Sequence, residues 1–546
     1  MIKQKTKLMV IGLDGATFDL ILPWVQQGEL PNFKKLIGES AWAPLDSTRP
    51  PLTCPAWPVF YTGKNPGKIG VIDFIGGEDG KKIISYTDIK GKAFWDIAAS
   101  HGMRSIVINV PITYPPRIEN GILLSGMLTP PGKPCCSSEE KMQAIKSNVG
   151  EYIVDLDILT LSSFDRSRSL KLFHHMMDQR FKTAMFLRET EAHDLMVVVF
   201  QETDIVCHRL WNNPPEVLKV YKRMDDYIGE LSNSAEYLVL MSDHGFAGYS
   251  RGIRINQFLF ERGDLKRRTA NYDSGFTHGS KEILDHRFGG DKDGGLRLIK
   301  NINKLVWYSG INRAFIKKMA GNEKVVEWLR RATPSITKKL IPPERFIIDR
   351  QKSVSYLHSS RTRSICINRD KVPHDKTFDA YKRELINDLL SLKDPDTGRQ
   401  IISRVYQDHE LYRGPYRENF PDLFLETAPE YIVRGGFGRS LIEKFPVQKS
   451  SHGQEGIFLC KGPGIKPHRY EHYINIQDLA PTILYLLGLP IPRDMDGKVH
   501  VDIMHSSERK DSKYTEETVS VYESSSISRE EEKALMAKLK ALGYID

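Results

Sequence analysis

Four short stretches, far apart in the chain, end in residues that bind metal: Leu8-Met-Val-Ile-Gly-Leu-Asp14, Asp204-Ile-Val-Cys-His208, Met241-Ser-Asp243-His244-Gly and Ser451-His452-Gly. A fifth, Leu52-Thr53-Cys-Pro, offers a hydroxyl at the expected start of a helix. The three aspartates and three histidines among them are the donors that two divalent ions need. Borderline metals such as zinc take His nitrogen and Asp oxygen and keep positions open for substrate. Chemistry of that kind is two-metal hydrolysis, with Zn2+ the expected ion and Mn2+ or Fe as alternatives.

Thr53 follows the proline-rich coil Arg49-Pro-Pro-Leu and precedes Cys54-Pro55-Ala-Trp-Pro58. Proline is tolerated in a first helical turn, which sets Thr53 at or near the N-cap. The amides and dipole at that end favour an anion, so a phosphate there meets the Thr53 oxygen. A bound metal lowers the pKa of such a hydroxyl and makes it a nucleophile. Capping alone is the commoner role for a threonine in this setting; the four metal motifs argue for nucleophile.

The elements that must position these groups read as α/β. Leu8 to Leu13, Leu195 to Phe200 and Tyr237 to Met241 are continuous apolar runs, as in buried parallel strands, and each runs straight into an acidic or polar motif. Ligands bind outside the carboxyl ends of such strands, so Asp14, the Gln201 to His208 stretch and Asp243-His244 are expected to converge on one edge. Three parts follow along the chain. Residues 1–254 and 346–505 read as a catalytic core, 255–345 as a helical basic insertion that caps it, and 506–546 as a polar linker with a C-terminal helix. That last helix opens on the capping box Ser528-Arg-Glu-Glu531, and Leu535, Leu539 and Leu542 share one of its faces.

At 546 residues the chain exceeds one ordinary domain, and 40% hydrophobic with 27% charged residues is the ordinary composition of a globular protein, so disorder is not the default reading. Six scattered cysteines without a CxxC pair read as reduced thiols. No apolar run approaches the ~20 residues of a membrane span. The Leu8 to Leu13 run is too short for a secretory leader, so the expected location is cytoplasmic. Net charge is +9; residues 261 to 345 hold 19 basic and 10 acidic residues and so carry the whole surplus. Pairs such as Arg267-Arg268, Lys317-Lys318, Arg330-Arg331 and Lys338-Lys339 are usual on wet helix faces, and a cap drawing in an anionic substrate is the functional alternative.

Together these motifs resemble the alkaline phosphatase superfamily, in its branch of type I phosphodiesterases and nucleotide pyrophosphatases. The matching residues are Asp14, Thr53-Cys-Pro with Tyr61-Thr-Gly63-Lys-Asn-Pro66 and Gly70-Val71, Asp204-x-x-x-His208, Ser242-Asp243-His244-Gly245 and His452-Gly453. The resemblance implies an alkaline-phosphatase-like core, a mostly parallel sheet flanked by helices. It implies one metal held by Asp204, His208 and His452 and a second held by Asp14, Asp243 and His244, where Thr53 binds as nucleophile. The implied activity is hydrolysis of a small anionic phosphoester through a phosphothreonine. One position departs from the pattern: where nucleotide pyrophosphatases of the family carry an asparagine, this chain has Phe74.

Alternatives within the superfamily are a phosphomonoesterase or a phosphonoacetate hydrolase-like enzyme. A sulfatase is excluded, because Thr53-Cys54-Pro55-Ala-Trp57 lacks the Cys-x-Pro-x-Arg pattern. From another class, the rival is a non-catalytic anion-binding or nucleic-acid-binding protein that works through its basic insertion. His193, His278, His286, His472 and His500 stand outside any matching motif and read as structural or surface residues.

Overall fold

A computed structural model describes residues 6–76, 82–155, 166–269, 346–438, 440–516 and 527–542. The chain divides into two compact units, Met1–Ile255 with Leu357–Ile367 and Val372–Asp546, and Asn256–Tyr356 with Asn368–Lys371.

In the larger unit the strands β1 (Thr6–Leu13), β2 (Ala41–Asp46), β3 (Ser105–Val110), β4 (Gly121–Ser125), β5 (Leu195–Phe200), β6 (Ala235–Met241) and β10 (Glu455–Lys461) build the central sheet. Their order is β2-β10-β6-β1-β5-β3-β4, and His468–Arg469 and Ile474–Asn475 pair with the outer side of β2. Pairing is parallel from β6 across to β4, whereas β10 runs antiparallel to both neighbours. The expected mostly parallel sheet is therefore what the chain forms.

Successive side chains of a strand point to opposite faces, and both faces here are covered, which is why the strands are apolar throughout. Leu8, Val10, Leu195, Val197 and Val199 enter one core with Trp57 and Phe60. Met9, Ile11, Leu13, Met196, Val198 and Phe200 enter the other, with Val220 and Met224 of a long helix, Pro214–Ser232. A separate three-stranded sheet joins β7 (Gly245–Arg254) to β8 (Tyr431–Arg434) and to the edge strand β9 (Ile442–Gly453).

The C-terminal helix spans Arg529–Leu542 and buries Leu535 and Leu539 in the first core. Among the described residues no helix is long and apolar enough to cross a membrane.

The smaller unit holds most of the helix Ile255–Glu261 and a strand pair, Arg267–Thr269 antiparallel to Phe346–Ile348. Arg267–Thr269, within the segment 255–345 expected to be helical, is a strand. Phe-Ile-Ile has the β propensity that the basic strand lacks, and the ladder overrides the helical pattern. Lys317, Lys318, Arg330, Arg331, Lys338, Lys339, His278 and His286 lie outside the described residues.

Candidate active site

Each candidate residue stands where a strand ends or a helix begins. Asp14 follows β1, and its amide donates to the Phe200 carbonyl of β5 at 3.0 Å. Gly15 then turns the chain with φ +68°, and a Cβ there would sit 3.1 Å from the Asp204 backbone. Asp204 and His208 lie one turn apart on a helix, Glu202–Leu210, that follows β5. One turn is the spacing that brings two side chains onto one face. Asp243 and His244 link β6 to β7. The antiparallel register of β7 and β9 sets His452 opposite Phe246, and so carries it to the same end of the molecule. Thr53 is the first residue of the helix Thr53–Thr62; Leu52 occupies the N-cap, so the hydroxyl is not the cap.

Two groups of donors result. Asp204, His208 and His452 form one, and Asp14, Asp243 and His244 form the other. In the first, Asp204 Oδ1 lies 3.4 Å from each imidazole Nε2, and the two Nε2 atoms are 2.9 Å apart. In the second, His244 Nε2 is 3.7 Å from Asp14 Oδ1, 3.4 Å from Asp243 Oδ2 and 3.3 Å from Thr53 Oγ1. Donors held about 2.0–2.1 Å from one tetrahedral zinc lie about 3.3 Å from one another, so both sets have the spacing of a shared ion.

The hydrogen bonds behind the ring nitrogens decide their state. His244 Nδ1 donates to the Gly245 carbonyl at 3.0 Å and His452 Nδ1 to the Pro51 carbonyl at 3.1 Å. A carbonyl only accepts, so the proton sits on Nδ1 and the lone pair of Nε2 faces inward, the state a metal takes. Burial pushes both imidazoles down, His244 to about 4, and burial likewise pushes His208 to about 4. Burial raises the Asp14 and Asp243 carboxyls, and the charge of nearby carboxylates raises them further. At Asp204 burial acts in the same direction, but the imidazoles around it win and its pKa falls. Asp14 Oδ1 and Asp243 Oδ2 are buried and accept no hydrogen bond. Crowded carboxylate oxygens facing lone pairs call for a cation between them.

Several supporting residues escaped the sequence reading. Trp57 Nε1 donates to Asp14 Oδ2 at 3.3 Å, and Gly12 makes room for it, since a Cβ there would meet the indole at 2.5 Å. A glycine inside an apolar strand was the available signal, because it marks a close approach. Thr203 Oγ1 donates to the Asp14 carbonyl at 2.6 Å and Ser47 Oγ to the Asp243 carbonyl at 2.6 Å. Arg363 Nη2 donates to the His452 carbonyl at 2.9 Å, and no sequence pattern marked it. Phe74 packs fully buried in the first core and offers no polar atom. His193 and His500 are structural, bonded to Thr6 and Asp478.

By its family the chain is an enzyme, a metal-dependent hydrolase of phosphoric ester or anhydride bonds. It belongs to the type I phosphodiesterase / nucleotide pyrophosphatase family, whose model matches residues 8–453. Among solved structures it is similar to phosphonoacetate hydrolase from Sinorhizobium meliloti 1021, with 14% identity and a TM-score of 0.49, covering 89% of this chain and 95% of that one. Murine ectonucleotide pyrophosphatase / phosphodiesterase 5 has 12% identity and a TM-score of 0.46, covering 92% of this chain and 100% of its own. No curated protein matches the chain.

Proposed function

We propose that the chain hydrolyses small anionic phosphodiesters or phosphoanhydrides through a phosphothreonine at Thr53, with two divalent ions, Zn2+ by the nature of the donors. The observation that carries this reading is the set of three oxygens within 3.3–3.7 Å of His244 Nε2, one of which is the Thr53 hydroxyl. Asp14, Asp243, His244 and Thr53 would hold one ion, and Asp204, His208 and His452 the other. Bound there, divalent ions supply Lewis acidity, lowering the hydroxyl's pKa and offsetting charge on the phosphoryl oxygens.

The chain's own groups do the rest. Thr53 stands in the first turn of its helix, where backbone amides have no carbonyl partner within the helix and present partial positive charge. A phosphoryl group held by these amides would be open to attack by Oγ1. The Oγ1–P bond forms as the bond to the leaving oxygen breaks, and water later cleaves the phosphothreonine, returning the hydroxyl. Trp57 keeps the Asp14 carboxylate turned toward the site, and the carbonyls of Gly245 and Pro51 hold His244 and His452 in one tautomer. The six cysteines are in the reduced state that a reducing compartment maintains, and the cytoplasm is the location we favour.

The test is acid quenching of zinc-loaded protein during turnover of bis(p-nitrophenyl) phosphate, followed by peptide mass analysis. A phosphate adduct confined to the peptide that carries Thr53 is expected. Steady turnover with no adduct on that peptide would remove the covalent step.

A further inference from the structure

We infer that Gln454 is a positioning residue for the nucleophile, holding the loop that leads to Thr53 in place against both donor groups. This rests on the hydrolytic site proposed above. Gln454 stands two residues after His452, between β9, which ends at Gly453, and β10, which begins at Glu455. Both strands are locked in ladders, β9 on β7 and β10 between β2 and β6. A side chain that leaves this junction starts from a fixed point.

The loop it meets is poorly equipped to hold itself. Residues 47–52 join the end of β2 to the first residue of the helix Thr53–Thr62. Pro50 and Pro51 have no N–H to give. Ser47 and Thr48 are buried, so their carbonyls need a donor. Gln454 supplies it: its Nε2 lies 2.7 Å from the Ser47 carbonyl, 3.2 Å from the Thr48 carbonyl and 3.0 Å from Asp46 Oδ1. Two N–H bonds are shared among three oxygens, and only the amino end of the amide fits there. The Ser47 amide returns a bond to the Gln454 carbonyl at 3.1 Å.

The loop is thereby tied to the site at both of its ends. At the far end His452 Nδ1 donates to the Pro51 carbonyl, and at the near end Ser47 Oγ donates to the Asp243 carbonyl. Between these anchors Arg49 Nη1 bonds Asp46 Oδ2 at 3.0 Å, and the Tyr412 hydroxyl donates to the Arg49 carbonyl. Thr53 belongs with one donor group and His452 with the other, so a loop pinned to His452-Gly-Gln454 sets where Thr53 Oγ1 stands between them. Gln454 Nε2 bonds none of the six candidate ligands, and its control is over the hydroxyl rather than over an ion. A misplacement of about 1 Å at a reacting atom can cost on the order of a hundredfold in rate.

Hydrogen–deuterium exchange, zinc content and steady-state kinetics of two variants test the assignment. Gln454→Met keeps the length and loses the donor, whereas Gln454→Asn keeps the amide and shortens its reach. Both should exchange faster at residues 46–53, no faster in the central strand Leu195–Phe200, and hold as much zinc as wild type. With bis(p-nitrophenyl) phosphate, kcat should fall about tenfold or more while KM stays within about twofold. Unchanged exchange at residues 46–53, unchanged kcat, faster exchange throughout the chain, or zinc lost in step with activity overturns it. Exchange is read without turnover, so a failure of the hydrolytic reading shows separately, as wild-type protein that cleaves no phosphodiester while the loop still loosens in the variants.

Discussion

His208 and His452 are separated by 244 positions in sequence, and their Nε2 atoms lie 2.9 Å apart. With His452 protonated on Nδ1 by virtue of the Pro51 carbonyl, its Nε2 offers a lone pair to that contact. With the Asp204 carboxylate the two imidazoles form a group whose ligand atoms lie close enough together to hold one metal ion.

Removing the hydroxyl tests the nucleophile. Thr53→Ala should lower kcat on the order of a thousandfold or more while metal stays bound, and Thr53→Ser should retain partial activity. Near wild-type turnover by the alanine variant would end the covalent mechanism.

Removing a carboxylate tests the metals. Asp243→Asn or Asp204→Asn takes away a formal charge that offsets a cation, so each should lose about one ion per chain and nearly all activity. Elemental analysis with unchanged stoichiometry in both variants would show that these residues are not ligands.

Trp57→Phe keeps an aromatic ring in the core and deletes only the donor to Asp14 Oδ2. Loss of an outer hydrogen bond of this type costs about 10- to 100-fold in metal affinity or activity. Zinc affinity measured by chelator competition should fall in that range. A change confined to thermal stability would make Trp57 a packing residue only.

Acid sensitivity should trace in part to Asp394. Arg251 of β7 and Tyr431 of β8 both donate to its Oδ2, at 2.6 and 2.8 Å, and the residue is buried. Burial raises its pKa, but Tyr431, the Asp396 amide and Arg251 outweigh burial and hold it below the ordinary value. A carboxyl depressed on folding contributes stability above its unfolded pKa, about 3.9, and loses it as pH falls through the folded value. Asp394→Asn should therefore lower Tm at neutral pH and flatten the decline of Tm with acid. An acid decline as steep as wild type would mean that other groups set it.

The strand ends were legible because buried parallel strands are apolar throughout, so Leu13-Asp14, Phe200-Gln201 and Met241-Ser242 show as abrupt changes of polarity. Pairing of the six aspartates and histidines into two groups followed from the resemblance, and the ligand atoms of each group do lie within 4.8 Å of one another. The sheet that presents His452 was not legible. Ile442–Gly453 is largely polar and half exposed, and it is held by its backbone ladder to β7 rather than by an apolar face. Side-chain bonds that cross the fold, such as Trp57 to Asp14 and Arg363 to His452, leave no periodic trace, because each joins single positions of unrelated elements.

The place of His452 at the end of β9 gives synthesis an order. Asp14, Thr53, Asp243 and His244 all lie within the first 245 residues, whereas the other group is incomplete until His452 has been made and β9 has paired with β7. A nascent chain thus completes one donor set well before the other. On the reading above, the half that holds the nucleophile comes first, and the enzyme stays inert until the far end of its catalytic region has left the ribosome.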